Sequence, residues 1–387
     1  MINYLHIVRN AITIDSRVLK QTGSILDKFS DKSLVVAGLH DMGYAEQEQI
    51  GKRYLQRWRL KTRSLPKDLL SQTIKFLEWQ YRIIKAYKNE PLQIIHCHDL
   101  EPLWIAIKLK KMTGAKLIYD AHELETELNG VHGIRKQLSQ WQEKKLMPFV
   151  DHLITVSPSI VAWYSQRYPS MPISLVRNIP KHIDADTAVN PLRATLGVTG
   201  EALLFLYLGH ISKGRGVEAI LQGFASEGVK HHVLFMGSGE LVDQVKAYSK
   251  KCSRIHFQSP VPPDEVIVNA RGADVGLSLI EDTSLSHRFC LPNKLFESLL
   301  SGLPVLVSNV PDQAKIVSDY EAGWVIEPKA DALEKFLRQL NAATARQLRV
   351  GLADRVADLR WENEAKTLYE VYEKLSTPCL ARDIRIS

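Results

Sequence analysis

Short apolar runs alternate with longer amphipathic stretches along almost the whole chain. Strand-like runs fall at Tyr4–Val8, Ser33–Ala37, Gln93–Ile95, Lys116–Tyr119, His152–Val156 and Ile173–Val176. After a break the rhythm resumes at Leu203–Leu208, His232–Met236, Ile255–Phe257, Val275–Leu279, Pro304–Val307 and Gly323–Ile326. Helix-length segments lie between them, among them Leu103–Thr113, Gly216–Phe224, Glu240–Lys250 and Lys294–Leu300. Strands alternating with helices predict parallel sheets covered on both faces, an α/β protein of two doubly wound domains. The break is polar, carries two prolines and has no periodicity. It divides the chain into a first domain over 1–182, a linker over 183–200 and a second domain over 201–360. A closing segment, 361–387, contains a helix at Glu362–Leu375 that is expected to cross back to the first domain.

The length of 387 residues suits two domains, and 45% apolar with 24% charged residues excludes wholesale disorder. No apolar run is long enough to span a bilayer, and the start lacks a secretory apolar region. Four scattered cysteines form no CxxC pair, which predicts a reducing, cytoplasmic location.

The sharpest local signal is LLFLYLGHISKGRGVEAIL, residues 203–221. A buried strand ends near Gly209, and Val217 opens a helix. Gly209, Gly214 and Gly216 allow close backbone approach, and the helix N-terminus offers free N–H groups to an anion. Arg215 adds a forked cation suited to phosphate. Compared with a P-loop, Arg215 replaces the Lys and Gly216 replaces the Mg-binding hydroxyl, so the loop reads as a phosphate clamp without a metal ligand. In LPNKLFESLLSGLPV, Pro292 and Asn293 fit a helix start, with Asn293 as cap. Lys294 in the first turn opposes the helix dipole unless it faces an anion. In the first half, His96, His98 and Asp99 are read as following one strand, and His122 and Glu123 as following another. Such positions flank the crevice where doubly wound folds bind ligands. A histidine there suits proton transfer near neutral pH. Two further signals are weaker. Asp15 and Ser16 are N-cap candidates, with Arg17 facing either solvent or cleft. Asp184 and Asp186 imitate a metal-binding DxD but follow no strand, so they are read as solvated caps. No metal and no other cofactor is expected.

Taken together, NAITIDSRVLK, HCHDLEPLWIA, KLIYDAHELETE, LITVSPSIVAWY, LVRNIP, LGHISKGRGVEAI and LPNKLFESLLSGLPVLVSNVP resemble the two-domain GT-B glycosyltransferases, and most the retaining group classed as family 4. The resemblance implies two Rossmann-like domains facing each other across a cleft. It implies transfer of a sugar from a nucleotide-diphosphate sugar to a glycan, lipid-linked or of a cell-surface polysaccharide, with retention. By that resemblance Arg215 and Lys294 hold the diphosphate, Glu297 binds the ribose, and His122 lies near the anomeric carbon. Gly209, His210, Gly214, Gly216, Leu291, Pro292 and Asn293 complete the donor side. Asn10, Asp15, Arg17, His98, Asp99 and Glu123 form the acceptor side. One departure stands out. The family's first motif carboxylate is replaced by Phe289, so the donor sugar is met either by Glu281 and Asp282 from the loop or by Phe289 against an apolar sugar face. Two alternatives are a non-hydrolysing nucleotide-sugar epimerase and a catalytically weak nucleotide-sugar-binding subunit.

The net charge of +7 is concentrated. Residues 51–89 hold eleven Lys and Arg against Asp68 and Glu78, interleaved with Tyr54, Trp58, Phe76, Trp79, Tyr81 and Tyr87. That block predicts peripheral attachment to an anionic membrane surface, on its cytoplasmic face, or else a solvated basic helix pair with core aromatics. No nucleic-acid module is recognisable, so nucleic acid is not an expected partner.

Overall fold

A computed structural model of the chain describes residues 2–12, 15–181, 191–263 and 265–377. The Asp184–Asp186 pair and the first part of the expected linker lie outside them. The first sheet contains β1 (Tyr4–Ile7), β2 (Leu34–Leu39), β3 (Gln47–Ile50), β4 (Arg53–Trp58), β5 (Ile94–His98), β6 (Lys116–Ala121), β7 (His152–Thr155) and β8 (Ile173–Leu175). Their order is β3-β4-β2-β1-β5-β6-β7-β8, parallel except for β3 against β4. The second sheet contains β9 (Leu204–His210), β10 (His232–Ser238), β11 (Ile255–Gln258), β12 (Val275–Ser278), β13 (Val305–Ser308) and β14 (Gly323–Ile326), in the order β11-β10-β9-β12-β13-β14. Most strands are buried along their length, as parallel strands covered by helices must be. Both sheets reverse their winding at one point, between β1 and β5 and between β9 and β12. Ligands of open α/β sheets bind at the carboxyl ends of strands flanking such reversals.

Three expectations change. The basic block is not a helix pair, because Arg53–Trp58 is the strand β4, followed by one helix, Leu69–Tyr87. Arg57 is buried there, giving its guanidinium to the carbonyls of Ala11 and Ala45 and to Glu48. Second, β5 extends through His98, so His96 and His98 lie inside the sheet, paired with Ile118 and Asp120, and only Asp99 follows the strand. Third, the later part of the expected linker belongs to the second domain, since Leu192 and Val198 are buried with Leu204 and Leu206.

The chain returns to the first domain between Leu359, packed among second-domain residues, and Trp361, packed among first-domain ones. The returning helix, Trp361–Ser376, buries Ala365, Leu368, Val371 and Tyr372 against Tyr4, Val18, Ile25 and Ile118. Trp361 Nε1 donates to Ser24 Oγ at 2.8 Å, and Glu364 accepts from the backbone N–H and the guanidinium of Arg177.

Candidate active site

A cavity of about 430 Å³ opens between the two sheets. The first domain contributes Asp15, Arg17, His122, Glu123 and Asn178; the second contributes Gly209, His210, Arg215, Lys294 and Glu297. Polar bridges hold the walls together. Ser286 Oγ donates to Glu123 at 2.9 Å, Asn178 Nδ2 to Asn293 Oδ1 at 2.7 Å, and Ser157 Oγ to the Phe289 carbonyl at 2.6 Å.

On the second-domain wall, β9 ends in Gly209 and His210, and the loop Ile211–Gly216 leads into the helix Val217–Ala225. Gly216 has φ +70°, and a Cβ there would lie 2.7 Å from Leu279 Cβ, so the loop seats directly on β12's exit. Gly214 also has positive φ, against His287 and Asn129, and neither glycine lines the cavity itself. Arg215 does, and its guanidinium has no hydrogen-bond partner among the described residues.

Lys294 opens the helix Asn293–Leu300 and is buried. Its Nζ has no hydrogen-bond partner among the described residues and sits 3.6 Å from the Tyr207 ring centroid. Burial and the Arg215 charge hold its pKa well below the ordinary lysine range. One turn on, burial raises Glu297 to about 7, opposed by Lys20 and Lys294. Arg215 and Lys294, two basic side chains on one wall and one of them desolvated, form a site that suits a bound diphosphate.

The first-domain wall is built on Asp120, buried at the end of β6. Arg17 clamps it with two hydrogen bonds of 3.0 and 2.6 Å, and Gln21 adds a third at 2.8 Å. Despite burial, Arg17 and His122 hold its carboxyl well below the usual range. His122, just past β6, has Nε2 3.5 Å from Asp120 Oδ2 and Nδ1 3.5 Å from Asp99 Oδ2. Burial lowers its pKa, but the two carboxylates outweigh this and raise it to about 9, so it is an imidazolium at neutral pH.

Several residues expected in the site have other positions. Asn293 caps nothing; Pro292 stands at the N-cap position and the Asn293 amide meets Asn178 across the cleft. Phe289 packs on the first domain's core instead of lining the cavity, and Cys290 takes the wall position beside it. Asp282 is drawn away by a bidentate pair with Arg288, and Glu281 fixes the loop through its N–H to the Gly214 carbonyl. Neither lines the cavity. Arg17 reaches the cleft wall but spends its guanidinium on Asp120 and the Val176 carbonyl. His98 is buried behind His122, and Asp99 orients His122 from outside the cavity. Asn10 lines a separate cavity and reaches the cleft only through a 2.7 Å hydrogen bond to Asp15. Leu291, Pro292, His210 and Glu123 do line the cleft.

Ser286, His287 and Cys290 also line it, in a segment where sequence reasoning considered only the acids and Phe289. Asp120, Gln21 and Tyr372 went unnoticed because each acts from a separate buried element. For metals, His6, His96 and His98, or His98, Asp120 and His122, bring ligand atoms within 4.8 Å of one another. Both ring nitrogens of His6 and His98 are engaged in hydrogen bonds within this group. We read the cluster as a hydrogen-bonded chain.

Comparison with known proteins agrees with this geometry. Residues 33–187 match the family described as Glycosyltransferase Family 4, and residues 190–351 match Glycosyl transferases group 1. A lipopolysaccharide 1,2-N-acetylglucosaminetransferase of Salmonella typhimurium is 23% identical over 359 residues, 85% of this chain and 83% of that protein. In structure, a sucrose-phosphate synthase from Thermosynechococcus elongatus superposes with a TM-score of 0.76 at 17% identity, covering 97% of this chain and 99% of the other. Anabaena HepE, solved with UDP and glucose, gives 0.70 at 13% identity over 97% and 100%. With Arg215 and Lys294 on one wall, His122 on the other and family matches spanning both domains, the chain belongs to the group 1 glycosyl transferases of the GT-B fold.

Proposed function

We propose that the enzyme transfers a sugar from a nucleoside-diphosphate sugar to a glycan acceptor, with retention of configuration and without a metal. The observation that carries this reading is the buried, unpartnered Lys294 ammonium beside Arg215 at the cleft. Cleaving the bond between sugar and diphosphate develops negative charge on the leaving phosphate. Preorganised cations aimed at that charge lower the barrier without reorganising. Glu297, raised by burial to about 7, is suited to hydrogen-bond the ribose hydroxyls. The His122 imidazolium faces the cleft from the other wall, where it donates to the sugar or the departing oxygen. The acceptor hydroxyl then attacks from the leaving-group face and passes its proton to the phosphate. UDP in the HepE structure and the lipopolysaccharide acceptor of the Salmonella relative support a nucleotide-sugar donor and a glycan acceptor of this kind.

Thermal shift with UDP-, GDP- and dTDP-sugars tests the donor, because a ligand that binds only the folded state raises its apparent stability. Nucleotide release measured with and without a glycan acceptor tests the transfer. Release only with acceptor supports it, whereas conversion of donor without acceptor, or binding without release, overturns it.

The reading includes attachment to an anionic membrane surface, through the helix of the basic block 51–89 together with two helices outside that block. The helix Leu69–Tyr87 exposes Leu70, Ile74, Leu77 and Tyr81 along one side, near exposed Lys67, Lys85 and Lys88. The helix Gly133–Leu146 exposes Ile134, Leu138 and Trp141, flanked by Arg135, Lys144 and Lys145. Both pack beside the helix Leu103–Thr113, which exposes Trp104. Apolar stripes bordered by cations suit the headgroup region of an anionic bilayer. No helix among the described residues is long and apolar enough to cross it.

A further inference from the structure

The chain crosses between the domains twice. On the outward crossing Val176 is packed among first-domain residues and Ile179 among second-domain ones; on the return the change falls between Leu359 and Trp361. Lys20, buried on the first-domain helix Ser16–Lys28, meets both crossings. Its Nζ donates to Asn178 Oδ1 at 2.7 Å and to the Ile179 carbonyl at 2.6 Å, and lies 5.1 Å from the centroid of the Trp361 ring. One turn earlier on the same helix, Arg17 Nη1 donates to the Val176 carbonyl at 2.8 Å. Arg177 and Glu364 join the two crossings to each other.

The contact continues past the crossing. Asn178 accepts from Lys20 at its carbonyl oxygen and donates from its amide nitrogen to Asn293 Oδ1 at 2.7 Å. Asn293 is the first residue of the helix that carries Lys294 and Glu297. Three side chains thus run from a first-domain helix, through the outward crossing, to the start of the donor-side helix. The bridges from Ser157 and Ser286 meet the second domain upstream of that helix, so among the described residues the Asn178 contact is the one that reaches the helix itself. Burial and the Arg17 charge lower the Lys20 pKa to about 7, and Glu297 from the second domain acts against them. Protonated or neutral, the nitrogen has the two N–H bonds that Asn178 and Ile179 accept.

We propose that Lys20 is a positioning residue that, through Asn178 and Asn293, holds the donor-side helix in register with the first-domain wall. This deepens the transfer reading given above and rests on it. In that reading the nucleotide is held by Arg215, Lys294 and Glu297, all from the second domain, whereas transfer also needs His122 from the first. A loosened junction leaves the nucleotide contacts whole and shifts the two walls relative to each other. A displacement of about 1 Å between reacting groups can cost on the order of 10²-fold in rate. Lys20 does not line the cleft, so its effect on the reaction passes through its neighbours.

The test is steady-state kinetics and nucleotide titration on Lys20→Met, Asn178→Ala, Asn293→Ala and the double variant of Lys20 and Asn293. The titrant is UDP, or GDP or dTDP where thermal shift selects it. Lys20→Met keeps the apolar stem and removes both N–H bonds. It should lower kcat about tenfold or more while nucleotide affinity stays within about threefold of wild type. Lys20 and Asn293 are joined through Asn178, so their losses in kcat should not multiply: the double variant should be no slower than the slower single one. Normal kcat in folded Lys20→Met overturns the proposal. So does a loss of kcat matched by an equal loss of nucleotide affinity, or a double variant that shows the product of the two single losses. If Lys20→Met does not fold, Asn178→Ala decides: a lower kcat at unchanged nucleotide affinity supports the proposal, and an unchanged kcat overturns it. Wild type that binds nucleotide but transfers no sugar overturns the transfer reading and this role with it; wild-type transfer with unaffected variants overturns this role alone.

Discussion

The Lys294 ammonium rests 3.6 Å from the centroid of the Tyr207 ring and has no hydrogen-bond partner among the described residues. A cation over an aromatic face recovers part of its lost hydration, but less than an anion would. Lys294→Met should therefore raise Tm while lowering turnover on the order of 10²–10³-fold. Calorimetry and steady-state rates on one preparation check both signs; a lower Tm with normal turnover would place Lys294 in the scaffold.

Above the depressed pKa of Lys294, binding of a nucleoside diphosphate should draw a proton into the protein. Lys294 is held below its ordinary pKa, and an anion beside it restores the charged form. Affinity should accordingly weaken as pH rises from the depressed Lys294 pKa towards 10.5. Titration calorimetry in buffers of different ionisation enthalpy measures the uptake, and Lys294→Met should abolish it.

Stability should slope in opposite directions on the two sides of pH 6.5. His122 binds its proton more tightly folded than unfolded, so its contribution, on the order of 2–3 kcal/mol, is complete below pH 6.5 and is lost as pH rises through about 9. His96, lowered to about 3, and His6 and His98, also lowered, bind protons more weakly when folded. Their burial therefore penalises the fold progressively as pH falls below 6.5. Denaturant unfolding across pH 4–10 reads both slopes. His122→Ala should flatten the alkaline one, lower turnover and leave nucleotide affinity near normal.

Gly216→Ala forces an L side chain into positive φ and against Leu279. It should cost about 1–3 kcal/mol of stability and displace Arg215, reducing turnover as well. Gly302→Ala, also at positive φ but with nothing near its Cβ, is the control and should affect stability alone.

Leu138→Glu with Trp141→Glu should abolish salt-sensitive flotation with anionic liposomes and leave Tm within about one or two degrees, since both side chains are exposed. Unchanged flotation removes the membrane attachment from the proposed function.

The architecture was legible because burial on both faces writes near-continuous apolar runs, as in Leu203–Leu208, and because glycine and proline punctuate them. β4 is hard to read because Arg53 and Arg57 break its apolar run; the Arg57 charge is satisfied by the carbonyls of Ala11 and Ala45 and by Glu48, all from other segments. Arg215 and Lys294 were visible from local motifs, each beside a helix start. Asp120, Tyr372 and the packing of Phe289 were not, because their meaning arises from contacts between residues up to several hundred positions apart. The displacement of Asp282 has the same character: Arg288 is near in sequence, but only the short helix Leu285–Arg288 turns it towards the acid.

The return of Trp361–Ser376 also dictates an order of assembly on the ribosome. Every strand of the amino-terminal sheet is synthesised long before the helix that covers Tyr4, Ile25 and Ile118. Until Tyr372 emerges, His6 and His96 lack the hydroxyl that joins them. The nascent amino-terminal half must wait, incompletely sealed, while the whole second domain is made. Its sealing by Trp361–Ser376 thus follows synthesis of the second domain.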